Sequence, residues 1–158
     1  MTKKEIILKL LALEVVGDHI SAFNLLSDKY VMSWAYKSKS TFPSVKVDKN
    51  FNEKLAEAYS FPDRKYEIYS MIQEGDFVAA EVVESYLDNE SGVFHRTPIS
   101  FVWEFDDQNL VVSGKHYCDP NISSAGITDN DLFKLYKKYP IITIDKKSAA
   151  DFLSVEKK

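Results

Sequence analysis

The segment Lys115-His-Tyr-Cys-Asp119 gathers several groups able to exchange protons or hold a ligand, and its spacing decides which of them act together. On an extended strand alternate side chains face opposite ways, so Tyr117 and Asp119 share one face while His116 and Cys118 share the other. An aspartate sunk among aromatic rings loses the solvation of its charged form. Its pKa then rises toward the range in which a carboxyl exchanges protons with a carbon acid or an alcohol. The plainer alternative is that Asp119, which precedes Pro120, caps a turn at a strand end. Tyr30, Trp34, Tyr86, Trp103 and Tyr117 are candidate pocket-lining residues, their phenol hydroxyls suited to donate to a carbonyl or a developing enolate; ordinary core packing is the competing use for each. His95 and Arg96 are neighbours on a strand, so only one can look inward. His95, a further candidate pocket-lining residue, suits proton transfer and Arg96 an anion, with a solvated rim position the alternative for both.

Other chemistry lacks its residues. Glu81 and Glu84, three apart, fall on opposite faces of a strand and cannot form a glycosidase carboxylate pair. His116-x-Cys118 with His19 and His95 matches no standard zinc spacing, so no metal is expected. The five glycines form neither a phosphate loop nor a dinucleotide fingerprint, and no Gly-x-Ser-x-Gly elbow occurs, so no cofactor is expected. A net charge of −4 with no basic run beyond paired lysines argues against nucleic acid as a partner. Lys9 and Glu14 break the apolar run that follows Lys3-Lys4, and nothing approaches the ~18 apolar residues of a membrane span. With Cys118 the single cysteine, no intrachain disulfide forms, and the cytoplasm is the expected location.

The elements that must position these groups read as follows. Thr2 and Glu5 form a capping-box pair ahead of Ile6, Leu10 and Leu13 at helical spacing. Gly17-Asp18 interrupts the pattern, which resumes through Ile20, Phe23 and Leu26 as a second short helix. Tyr30 to Tyr36 is aromatic and β-branched enough for a strand, Lys37 to Pro43 reads as loop, and Asp48 is placed to cap a third helix over Phe51 to Tyr59. The period then changes to two, with strands at Lys65 to Gln73, Phe77 to Leu87, Val93 to Phe105 and Leu110 to Cys118. Short polar turns at Gly75-Asp76, Asn89 to Gly92 and Asp106 to Asn109 join them as an antiparallel meander. A strand of about 13 residues spans roughly 43 Å and must coil. Pro98, which cannot donate to a ladder, marks a bulge or an unpaired edge. A coiled sheet has a concavity that the helices should plug, leaving a pocket at the wide end. From Thr128 a further helix runs over Asp129 to Tyr139, followed by a short apolar run, Ile141 to Ile144. The expected fold is therefore α+β in one domain over 1–158: a core over 2–120, with N-terminal helices on a strongly curved antiparallel sheet, and a C-terminal helical extension over 121–158.

The order Phe61-Pro-Asp63, Gly75-Asp-Phe-Val-Ala-Ala80, His95-Arg-Thr-Pro-Ile99 and Lys115 to Asp119, behind N-terminal helices, resembles the SnoaL-like branch of the nuclear-transport-factor-like superfamily. The resemblance covers roughly residues 5 to 120. It implies a cone-like, cystatin-type roll, in a superfamily of ketosteroid isomerases, polyketide cyclases, dehydratases, limonene-epoxide hydrolases and non-catalytic binding domains. By resemblance to the cyclases Asp119 is the acid/base residue; a tyrosine such as Tyr117 or Tyr30 would serve beside it as oxyanion donor. The epoxide-hydrolase pattern has an aspartate where this chain has His116, which counts against that activity. Three readings stay open: a binder of a small, largely apolar molecule; a cofactor-independent isomerase, cyclase or dehydratase using Asp119; and a dimerisation module, with a homodimer expected.

Overall fold

Thr2 opens the first helix, α1 (Lys3–Val16): its hydroxyl accepts from the Glu5 amide and the Glu5 carboxylate accepts from the Thr2 amide, 2.6 Å. Gly17 ends it at φ 78°, a left-handed position at which a Cβ would be strained. Asp18 then accepts from the Ser21 amide at 3.1 Å and caps α2 (His19–Phe23). The computed structural model describes residues 1–50, 61–119 and 124–154. The helix expected over Phe51 to Tyr59 and the turn at Pro120 lie outside the described residues.

The described strands are β1 (Leu26–Trp34), β2 (Val45–Asp48), β3 (Lys65–Glu74), β4 (Phe77–Leu87), β5 (Phe94–Phe105), β6 (Val111–Tyr117) and β7 (Ile142–Ile144). They form one curved sheet of order β2-β1-β6-β5-β4-β3-β7. β3 to β6 are the antiparallel meander, and Gly75-Asp76 is a two-residue hairpin loop with Gly75 at φ 54°. One pairing departs from expectation: β1 runs parallel to β6, with Met32 beside Gly114 and Trp34 beside His116. The long connection from β1 to β3 carries the chain to the far side of the sheet before the meander returns, as a parallel pair requires. Leu26 opens β1 rather than closing the second helix, and Asp48 ends β2, a strand inside a stretch expected to be loop and cap.

Register slips bend the sheet. Between Ile68 and Ser70 the β3–β4 ladder carries an extra residue, Tyr69, and β5–β6 slips between Glu104 and Phe105. Pro98 pairs with Val83 but falls outside the β5–β6 ladder, which begins at Ser100–Tyr117, so its missing N–H costs no bond on that side.

The concave face, α1 and α2 enclose the main core, with Ile7, Ile68, Val78, Val82 and Val111 fully buried. Beyond 124 the chain is more than a helical extension. Its helix α3 (Asp129–Tyr136) lies on the outer face, where Leu132 packs with Tyr69 and Val83, and Tyr136 stacks on Tyr69 at 3.9 Å. The helix stops at Tyr136, three residues before its expected end, with Lys137 left-handed at φ 57°. β7 then extends the sheet beside β3, and α4 (Ala149–Leu153) packs against α1.

Candidate functional site

Between α1, α2 and the concave sheet lies a cavity of about 400 Å³, within the range of small-molecule sites. Alternation assigns its walls. β1 contributes Tyr30, Met32 and Trp34; β4 contributes Glu84 and Tyr86; β5 contributes Thr97, Ile99, Phe101 and Trp103; β6 contributes His116, and Cys118 follows just past its end. Leu10, Leu11 and Glu14 of α1 and His19 and Ala22 of α2 form the roof. Gly114 shapes the floor: a Cβ there would lie 2.9 Å from the Tyr30 hydroxyl, so only glycine lets that phenol cross β6.

Two sets of polar groups decide the charge of the lining. At one wall Glu14 is half-buried and accepts from the Tyr66 hydroxyl at 2.5 Å. Burial pushes the Glu14 carboxyl upward, against the pull of Arg64 and of the Tyr66 bond, and burial likewise holds Tyr66 well above the usual phenol range. Arg64 pairs with Glu84 at 3.0 Å. Its burial opposes the cation, yet Tyr66, Glu84 and Glu14 prevail and raise it, so it stays charged. His19 is lowered by burial and then by Arg64, and its Nε2 has no partner among the described residues. Glu14, Arg64 and Phe61 also border an outer cleft, so this wall divides inside from outside. The second set stands on β6. His116 packs edge-on against Phe101, centroids 4.3 Å apart, and Trp34, 6.2 Å. Burial pushes its pKa down to about 4, so the imidazole is neutral at ordinary pH.

Of the residues singled out from sequence, Tyr30, Trp34, Tyr86 and Trp103 line the cavity. His95 lies off it, stacked on Tyr86 at 5.3 Å and hydrogen-bonded through Nδ1 to Ser124 Oγ at 2.7 Å. The structure reverses the expected face of β6. Tyr117 and Asp119 are exposed and border a shallow outer groove with Pro98 and Tyr136, while His116 and Cys118 face inward. The physical reason is register: Phe101 and Trp103, both buried on the concave side, pair with His116 and Gly114. Arg96 is neither a rim residue nor an anion site. It is buried beneath α3, paired with Glu67 at 3.1 Å and Asp129 at 2.7 Å.

Glu14, Arg64, Tyr66 and Glu84 were not anticipated as a set. Glu14 had a readable sign, since it follows Leu10 by four residues and so shares its core-facing stripe. Among the described residues no three His, Cys, Asp or Glu side chains group to hold a metal, and no helix is long and apolar enough to cross a membrane.

No family model matches the chain, and no curated protein matches it. Solved structures share its fold. An NTF2-like protein of unknown function from Cytophaga hutchinsonii superposes with a TM-score of 0.60 at 15% identity, over 76% of this chain and 92% of its own. Wild-type IdmH of Streptomyces antibioticus, a proposed polyketide cyclase, gives 0.60 at 16% identity over 87% and 99%. A Mycobacterium tuberculosis protein in complex with estradiol-17beta-hemisuccinate gives 0.62 at 13% identity over 72% and 90%. At these identities the likeness establishes the architecture: the chain has the nuclear-transport-factor-like fold, a cone of helices on a curved sheet.

Proposed function

We propose that the chain is a SnoaL-like member of that superfamily and holds a small, largely apolar molecule in its internal cavity. The observation that carries this reading is the cavity itself, about 400 Å³ and walled largely by apolar and aromatic side chains such as Leu10, Met32, Ile99, Phe101 and Trp103. Two neighbours agree with it: the mycobacterial protein was solved with a steroid derivative, and IdmH is a proposed cyclase. The half-buried Cys118 thiol in the wall fits a reducing compartment, and we place the protein in the cytoplasm.

The chain carries two tryptophans, Trp34 and Trp103, and both line the cavity, so occupancy reports itself in their fluorescence. Titration with neutral alicyclic probes such as decalin, cyclohexanol and progesterone should give a saturable change. Ala22→Phe, which fills the roof, should abolish it. A response unaffected by Ala22→Phe places the binding elsewhere and ends the reading.

A second reading, proton-transfer chemistry without a cofactor, has one observation in its favour: a half-buried carboxyl, Glu14, with a raised pKa at the cavity wall. Asp119, exposed on the outer groove, is badly placed for chemistry inside. On this reading Glu14→Gln keeps ligand binding and loses turnover, whereas Asp119→Asn changes neither. Self-association is a third, separate proposal, resting on Ile72 and Phe77, which are 66% and 49% exposed on the outer face that α3 leaves bare. A solution mass near twice 18.1 kDa is expected, and a monomer would refute it.

A further inference from the structure

We infer that His116 is the hydrogen-bond anchor of the cavity, and that the molecule it takes is a neutral ring compound bearing a hydroxyl or keto oxygen. The inference rests on the cavity being a ligand site and specifies which ligand chemistry it selects.

His116 projects from β6 into the cavity and is held there by Phe101 and Trp34, whose rings meet it edge-on at interplanar angles of 68° and 88°. Those contacts fix the ring without using its nitrogens. Among the described residues no hydrogen bond engages the imidazole, and its nitrogens are not sealed in the core, so they stay open to whatever fills the cavity. Its surroundings on the same floor, Met32, Ile99 and Phe101, offer no polar partner and suit a ring body.

A neutral imidazole presents one N–H donor and one acceptor nitrogen. A hydroxyl can meet either and a keto oxygen can accept from the N–H. Burial keeps the ring uncharged until about pH 4, so it supplies no counter-charge to a carboxylate, sulfonate or phosphate. Nor does the cavity's guanidinium, because Arg64 is already paired with Glu84 at 3.0 Å. An anion entering would lose its hydration without a cation to replace it, so selection runs toward neutral oxygenated rings and against acids.

Equilibrium dialysis of the full chain with naphthalene, 2-naphthol and 2-naphthalenesulfonate tests this. The wild type should bind 2-naphthol at least tenfold more tightly than naphthalene, and the sulfonate no more tightly than naphthalene. His116→Gln, which retains a donor and an acceptor, should keep the preference within about threefold. His116→Phe should abolish it while still binding naphthalene, which reports an intact cavity. A preference that survives in His116→Phe, or is missing from the wild type, overturns the anchor and leaves the cavity reading standing. If the wild type binds none of the three, both readings fall together. Should His116→Phe not fold, the imidazole ¹⁵N shifts of the wild type decide: addition of 2-naphthol is expected to move them, and unchanged shifts under saturation refute the anchor.

Discussion

Burial of His116 has a cost that titration exposes. Its folded pKa of about 4 lies below the ordinary 6.5, so between these values the unfolded chain binds a proton that the folded chain refuses. Stability is then fully retained above pH 6.5 and lost as pH falls toward 4, with a limiting slope of about 1.4 kcal/mol per pH unit. Integrated from pH 7 to pH 4.5, the loss attributable to His116 is about 2 kcal/mol. For a chain of this size that corresponds to a Tm decrease of roughly 4–8 °C. His116→Gln removes the titrating group, retains polar atoms at the site and leaves every other acid-side titration in place. Urea denaturation of both proteins at pH 7 and pH 4.5 isolates the effect as a difference of differences, and the wild type should lose about 2 kcal/mol more than the variant. Parallel losses would mean that the imidazole protonates as readily folded as unfolded, and the neutral anchor would fall with that result.

Gly114→Ala should destabilise by about 1–3 kcal/mol, because its Cβ would meet the Tyr30 hydroxyl at 2.9 Å and the phenol must swing into the cavity; an unchanged Tm would show that β6 yields freely. Arg96→Met, which leaves Glu67 beneath α3 with only Lys65 at 3.3 Å, should cost about 3 kcal/mol in urea denaturation. Asp129→Asn, on a carboxylate 92% exposed, should cost under about 1 kcal/mol, and equal costs would contradict the burial argument. Glu14→Gln should raise Tm above the wild type at pH 8 and lose the advantage near pH 4. A raised carboxyl pKa gives stability that is complete below 4.5 and declines as pH climbs through the folded value, whereas glutamine has no such decline. A constant difference at the two pH values would show that Glu14 does not titrate abnormally.

Local chemistry was readable where it is written locally. Thr2 and Glu5 announced α1, Gly75-Asp76 the hairpin, and the change of period at Lys65 the meander. What was not readable depends on partners distant in sequence. The parallel pairing of β1 with β6 is made by the course of the whole chain and leaves no mark on either strand alone. The extra residue at Tyr69, which turns that side chain outward under α3, is equally silent. The face of β6 lies between these cases. Alternation separated His116 and Cys118 from Tyr117 and Asp119 correctly but did not say which set looks inward. A sign was present: Ser113 and Lys115 share the parity of Tyr117 and Asp119, and a lysine that close to two polar neighbours marks the solvated face. Weight given to that lysine would have moved attention from Asp119 to His116.

The two polar sets of the cavity are satisfied to different degrees, and that difference separates a scaffold from a recognition surface. Glu84 neutralises Arg64 and Tyr66 donates to Glu14, so opening those pairs to a ligand would break bonds already made, although Arg64 Nε and His19 Nε2 on the same wall are buried without a partner among the described residues. His116 has rings around it and, among the described residues, no protein group bonded to its nitrogens, so a ligand oxygen arriving there breaks no bond within the protein. The same asymmetry explains why burial acts oppositely on the two. Glu14 is pushed toward its protonated, neutral form and His116 toward its deprotonated, neutral form, while Arg64 keeps its charge only against Glu84. A cavity arranged this way presents no net charge to its contents on the His116 side. On the reading proposed for the cavity, it would discriminate by a hydrogen bond at His116 and by the shape of its apolar walls.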